Sequence, residues 1–437
     1  MASKKSYLRC LTILGVTLLA LAETAPAMAQ VQQTLLESPI PFIYSRGRNT
    51  SVLEREKPEL RPLGILAGSF ILSPKLALGV NFSDNVYQTN TPKVDDTYFA
   101  ISPAIAAKSN WSRHSLLLTS GANLTRYVTQ DRHNESGWYV GGAGRLDVGA
   151  ESSVDVEART ARLFESPFSG AALGGFATEL PYQRSVVLVR GNYVSNQLRV
   201  VGAVDYTKYN FLPAETLAGL TVSQDNRDRA ISRVTGQVEY GLVPGASLFV
   251  QVGYTDISYS EPLAPLVPNR DSHTVRVIAG TSFDLTSLIR GSIGIGYLDR
   301  SFRAGIYQGM RGLSFEGKIE YFPSQLTTIG ITIRRQAEDS TIPGSSGYYN
   351  TGGSLRVDHE LLRNLLLAAT LDYEVDDYRG VDSRAHVLRT GGEARYMISR
   401  NITLGGNINY GKRTSTGVPN GNVFSETRGA LTLSLQL

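Results

Sequence analysis

Ala430-Leu431-Thr432-Leu433-Ser434-Leu435-Gln436-Leu437, the last eight residues, alternate apolar with small or polar side chains. Successive side chains of an extended strand point to opposite faces, so Leu431, Leu433, Leu435 and Leu437 share one face. Ala430, Thr432, Ser434 and Gln436 share the other. A strand greasy on one side needs lipid or a core to cover it. The amino end indicates which. Lys4, Lys5 and Arg9 make a basic start, Leu11 to Ala22 an apolar stretch too short for a bilayer, and Ala27-Met28-Ala29 a small-x-small cleavage triplet. Residues 1–29 read as a secretory signal, with the mature chain beginning at Gln30. Together the two ends point to a β-barrel in the outer membrane of a Gram-negative bacterium.

The composition agrees. Cys10, the single cysteine, lies in the signal, so stability cannot come from disulfides. Losing Lys4, Lys5, Arg9 and Glu23 brings the formal +4 close to neutrality, which is no nucleic-acid footprint. Beyond the signal no apolar run approaches the roughly 18 residues of a membrane helix. A mean hydropathy of −0.12 suits a barrel, because only every second residue meets lipid.

Residues 30–62 have a different texture, polar and mixed in charge with no sustained period, and read as a periplasmic, largely irregular extension. From Leu63 to Leu437 the pattern is alternation, as in Leu248/Val250/Val252/Tyr254 and Leu313/Phe315/Gly317/Ile319/Tyr321. Tight connections near Asn110, Ser152, Ser195, Pro244, Thr286, Pro323, Arg363 and Arg400 alternate with longer polar links. The links include Thr89–Asp95, Glu165–Pro181, Leu212–Asp225, Glu261–Asp271, Ser340–Tyr349 and Thr414–Val423. Short periplasmic turns and longer extracellular loops are the signature of an outer-membrane barrel. The expectation is an all-β, antiparallel up-and-down barrel of about eighteen strands, with both termini periplasmic. A propeller has a similar repeat length but packs four short strands into each unit; here each unit holds two long ones.

Tyrosines fall where such a barrel meets the lipid interface. Tyr206, Tyr254, Tyr297, Tyr373 and Tyr410, with Tyr87 and Tyr127, lie near the outer ends of up-going strands. Tyr193, Tyr240, Tyr321 and Tyr396 lie near the turns of down-going ones. Two aromatic girdles follow.

If the leucine face meets lipid, charges on the other face line the lumen. Candidates are Arg145, Arg159, Arg199, Arg233, Arg276, Arg290, Arg334, Arg356, Arg389 and Arg395, with Glu316, Lys318, Glu320 and Asp372. Facing lipid at the midplane, each Arg or Lys would cost about 2–4 kcal/mol. A barrel of this size can hold an aqueous channel, and its arginines can guide an anionic or hydroxyl-rich solute. Salt bridges within the wall account for any one of these residues equally well.

Arg61-Pro62-Leu63-Gly64, Gly68-Ser69-Phe70 and Pro74 lead into Asp84-Asn85-Val86-Tyr87, and Trp111-Ser112-Arg113-His114 marks the first tight turn. On these motifs the chain resembles the proteobacterial family called putative β-barrel porin 2. The motifs cover about the first 60 residues of the barrel region. Members of that family often accompany exopolysaccharide genes. The resemblance therefore implies an export conduit for a polysaccharide, working with periplasmic export proteins. The alternatives are a general or solute-specific diffusion porin and a non-transport surface or adhesin barrel. Leu437 stands where such barrels usually end in Phe.

Nothing suggests catalysis or a cofactor. There is no phosphate-cradling P-loop and no His-Glu-x-x-His pair. Asp131 and His133 read as solvated residues of an outer loop, and Gly344-Ser345-Ser346-Gly347 as a flexible loop tip rather than a nucleophile elbow.

Overall fold

The computed structural model describes Ile40 and residues 49–437 except 150, 287, 419, 420 and 422. The basic start, apolar stretch and cleavage triplet lie outside the described residues.

Eighteen long strands follow one another in the chain. They are β1 Phe70–Ser83, β2 Asp96–Ser109, β3 Ser115–Tyr127, β4 Glu135–Val148, β5 Ser152–Phe164 and β6 Pro181–Ser195. Then come β7 Leu198–Phe211, β8 Arg229–Val243, β9 Ala246–Tyr259, β10 Ser272–Asp284, β11 Ile289–Phe302 and β12 Met310–Ser324. The last six are β13 Thr327–Glu338, β14 Gly347–Leu362, β15 Leu365–Arg379, β16 Ser383–Met397, β17 Ile402–Gly417 and β18 Phe424–Gln436. Every strand pairs antiparallel with its sequence neighbour, and β18 pairs back onto β1, with Lys75 opposite Gln436 and Ser83 opposite Arg428. The sheet therefore closes, which satisfies the backbone groups that an open edge would leave unpaired. A short strand, Ile65–Ala67, folds back on Phe70–Leu72 just before the circuit begins.

The connections obey the expected alternation. Asn196 and Gln197 make a two-residue hairpin between β6 and β7, with Asn196 at a φ of 52°, the positive-φ geometry that matches strand twist. Register shifts near the tight turns, as between Gly241 and Val243 and between Glu360 and Leu362, bend the wall there. At the opposite end the links are longer, with residues 165–180 among the longest; the link after β17 spans only 418–423, because that strand continues to Gly417. These ends are called the turn end and the loop end. No helix among the described residues is long and apolar enough to cross a membrane, which says nothing of strands.

Two faces result. Leu431, Leu433 and Leu435 sit opposite Val80, Leu78 and Leu76 on β1, and Leu433 and Leu435 sit opposite Leu404 and Ile402 on β17. These rows continue as an exposed apolar band through Ile101, Val140, Val189, Val204, Val250, Ile295 and Leu371. The other face carries the charges. Thr432, Ser434 and Gln436 lie on it.

Candidate translocation path

Strand parity places all fourteen lumen candidates on the inner face. Most are tied into the wall by cross-strand ion pairs. Arg199 reaches Glu239 at 3.0 Å, Arg233 reaches Asp205 at 2.9 Å, and Arg276 reaches Glu316 at 2.8 Å. Arg145 bonds Asp147 at 2.9 Å, Arg356 bonds Asp358 at 2.8 Å, and Arg395 bonds Glu393 at 2.9 Å. Each of these last pairs is two residues apart on one strand, where a period of two puts both on the same face. Glu374 accepts from Arg389 at 2.5 Å and lies 3.5 Å from Arg334. Asp372 stands directly across from Arg389, whose guanidinium leans to Glu374 instead. Lys318 lies 3.9 Å from Glu320. Arg159 differs: its guanidinium lies 4.9 Å from the Tyr139 ring centroid.

All nine tyrosines expected at the girdles, Tyr193, Tyr206, Tyr240, Tyr254, Tyr297, Tyr321, Tyr373, Tyr396 and Tyr410, are on the outer face and exposed. Tyr127 is not. It turns inward and stacks on Tyr98 at 4.7 Å, because an odd position on β3 faces the lumen. Tyr87 lies beyond the end of β1.

The lumen is less uniformly polar than the charges suggest. Inward residues of one arc include Val201, Ile231, Ile257, Ile278 and Leu298, all buried. Ile257 and Leu298 pack with Tyr209, Phe211, Tyr259 and Met310 into one cluster. On β1, β17 and β18 the inward positions, such as Ala77, Asn407 and Thr432, keep partial exposure. The wet side of the lumen therefore runs along that second arc.

Residues 165–180, between β5 and β6, fold across the barrel. The Tyr378 hydroxyl on β15 donates to the Gly170 carbonyl, and Thr341 Oγ1 donates to the Ala171 carbonyl at 3.1 Å. Phe168 packs with Val387 of β16 and Phe424 of β18. Gly170 is required there: a Cβ would meet the Tyr348 ring at 2.6 Å and the Asp376 carboxylate at 2.7 Å. The near end is held by Arg227, whose guanidinium grips Glu165 at 2.5 and 2.9 Å. Sequence reading found this segment as a loop and missed its direction. Phe168 in the middle of a polar link was the available signal.

The loop end also carries an unequal charge cluster. Asp339 accepts from Arg300 and from the Tyr259 hydroxyl, and lies 3.6 Å from Arg229. Arg270 donates to the neighbouring Ser340 carbonyl. Burial alone would raise the Asp339 carboxyl, but Arg300, Arg229 and Arg270 together hold it down, to about 2. Three guanidinium groups around one carboxylate leave a positive excess.

At the turn end the described part of the extension is docked inside the mouth. Asn49 Nδ2 donates to Asp284 at 2.9 Å, and Val52 N donates to Thr328 Oγ1 at 3.0 Å. Ser51 and Glu54 exchange hydrogen bonds, a reciprocal capping arrangement. Arg290, fully buried, bonds Glu320 and Glu54, both at 2.6 Å. Arg55 and Lys57 reach Glu360, and Glu59 reaches Arg363. Ile40 packs on Val201 and Ala203 of β7. An irregular tail in the periplasm was expected; this stretch is irregular but folded against the inner wall, because its charges complement those of β11 and β14.

Two other expectations change. His133 is buried, 1% exposed, under the crossing loop rather than solvated. Ser345 and Ser346 are buried as well, so the tip between β13 and β14 is packed.

A closed eighteen-stranded antiparallel barrel with an apolar outer band, a charged inner wall and an inward-folded loop defines a porin-like outer-membrane channel, not an enzyme. The chain belongs to the family described as putative beta-barrel porin 2, whose model matches residues 57–437. Its barrel is similar to that of OpdK from Pseudomonas aeruginosa, at 11% identity over 84% of this chain and 99% of that one, with a TM-score of 0.45. OccAB3 from Acinetobacter baumannii is similar at 11% identity, 84% and 99% coverage and a TM-score of 0.46. OpdO from Pseudomonas aeruginosa gives 14% identity, 85% and 98% coverage and 0.44. The search of curated proteins finds no match.

Proposed function

We propose that this protein is a diffusion channel for small hydrophilic solutes, with a preference for anions. The carrying observation is the 165–180 segment anchored across the lumen by Tyr378, Thr341 and Phe168. A bore divided this way admits small solutes and obstructs a polymer. The anion preference rests on Arg229, Arg270 and Arg300 gathered around the single carboxylate of Asp339. In this reading residues 1–29 are a cleaved signal, the turn end and both termini face the periplasm, and the girdle tyrosines mark the two lipid interfaces. Planar-bilayer recordings test it. Steady conductance with a reversal potential favouring chloride over potassium is expected. A silent barrel or cation selectivity would overturn it.

Polysaccharide export is the second reading, and its motive is only the genes that members of the resembled family often accompany. It requires both the crossing loop and the segment from Asn49 to Glu59 to withdraw, the latter by engaging periplasmic export proteins. Polymer trapped in the periplasm of a deletion strain would favour it over simple diffusion.

A further inference from the structure

His133 ends a single helical turn, Asp131–His133, in the link between β3 and β4. Its ring lies edge-on to Tyr87 and Tyr127, at centroid distances of 5.6 and 4.9 Å. Nδ1 sits 2.7 Å from the Ala177 carbonyl. A carbonyl only accepts, so Nδ1 carries the proton and Nε2 presents a lone pair. That Nε2 is buried and has no hydrogen-bond partner among the described residues. One ligand atom each from His133, Glu135 and Glu179 lie within 4.8 Å of one another.

The charges around it do not balance. Arg428 serves two carboxylates, bonding Glu426 and lying 3.5 Å from Glu179. No hydrogen bond or ion pair among the described residues reaches the Glu135 carboxylate. Three acids thus share one guanidinium, and a ring nitrogen of His133 lies within 4.8 Å of two of them. Buried like charges and unmet acceptors are costly unless something positive joins them.

We propose that His133, Glu135 and Glu179 bind a divalent metal ion of the zinc class. One imidazole and two carboxylates form a three-ligand set that zinc accepts, at about 2.0–2.2 Å per bond. Tetrahedral donors at that distance stand roughly 3.4 Å apart, so the glutamate side chains close by on the order of an ångström. The Ala177 carbonyl supplies the outer hydrogen bond that fixes a metal-binding histidine's tautomer. A small cavity lined by Tyr87, Glu165 and Glu179 adjoins the site on the crossing-loop side. The ion would join three elements: the link before β4, the start of β4, and the crossing loop. It pins that loop on the near side, as Tyr378 does on the far side.

The test uses the full chain, folded in detergent, stripped with EDTA and titrated calorimetrically with zinc chloride or calcium chloride. One equivalent of zinc is expected, bound at least 100-fold more tightly than calcium, an oxygen-seeking ion. His133→Ala and Glu179→Gln should each weaken zinc by no less than the roughly 10–100-fold that losing an outer partner costs. Both should keep heat-modifiable migration. Zinc should also raise the unfolding temperature of the parent chain and not of the variants. Absence of a saturable equivalent in the parent chain, equal calcium affinity, or unchanged zinc affinity in both variants would overturn the proposal. If the variants fail to fold, cobalt(II) decides: visible d–d absorption displaced by zinc supports the site, and a spectrum unchanged from free cobalt sinks it.

Discussion

The Tyr378 hydroxyl donates to the Gly170 carbonyl across 2.5 Å, joining residues 208 positions apart. Tyr378 is the penultimate residue of β15 on one wall; Gly170 lies within a loop rooted between β5 and β6 on another. The bond ties the loop to the far wall, and in the proposed channel it would hold the constriction in place. One neutral hydrogen bond contributes about 1 kcal/mol, roughly a fivefold change in a two-state population. Tyr378→Phe should therefore raise the frequency of loop-open events about fivefold in single-channel recordings. Gly170→Val, which collides with Tyr348 and Asp376, should displace the loop and raise mean conductance. Traces from both variants matching the parent would show that this loop is not the constriction.

Arg290 links the wall to the docked amino-terminal segment. Arg290→Met strips Glu320 and Glu54 of their cation, and breaking such a buried pair costs about 3–5 kcal/mol. The barrel should lose its heat-modifiable form at a lower temperature. Trypsin should also cut after Arg55 much faster than in the parent, since Lys57 is shielded by Pro58. A protease-resistant segment in the variant would mean that docking does not depend on this residue.

Docking should depend on pH. Burial would raise the Glu54 carboxyl, but hydrogen bonding and attraction from Arg290, with bonds from Ser51, lower it below its ordinary 4.5. A depressed folded value means the carboxylate's contribution is complete above about pH 4.5 and disappears as pH falls through the lower folded value. A fluorophore on Glu56→Cys should report an immobile segment at pH 7 and a freed one well below pH 4. Adding Glu54→Gln should flatten that profile. A transition persisting unchanged in Glu54→Gln assigns the switch to another group.

The two faces of β18 should answer charge differently. Leu431 is 67% exposed on the outer band near the middle of the strand, and Leu431→Arg should destabilise by about 2–4 kcal/mol. Thr432→Arg, one residue on, points into the lumen and should be tolerated. Urea midpoints in lipid vesicles measure both. Deleting residues 424–437 removes the strand that pairs with β1, and no heat-modifiable barrel should form.

The alternation that reveals β18 also reveals the other strands, because a period of two is a local property of the chain. The same holds for the turn and loop asymmetry and for the side chains that avoid lipid. Each of these needs only a residue and its near neighbours. The partners of the inner charges were not legible. Arg290 meets Glu54 across 236 positions, and nothing in either neighbourhood announces the other.

By itself the sequence determined a closed, two-faced barrel, its strand number, and the strand that seals it. Hydrogen-bond satisfaction in lipid allows alternating strands one such solution. Only the tertiary structure decided what fills the bore. The direction of the 165–180 loop, the docking of Asn49 to Glu59 and the burial of His133 beside Glu135 and Glu179 all depend on wall curvature. Closure brings distant segments within reach of one another, and their charges and aromatic rings then select which ones meet.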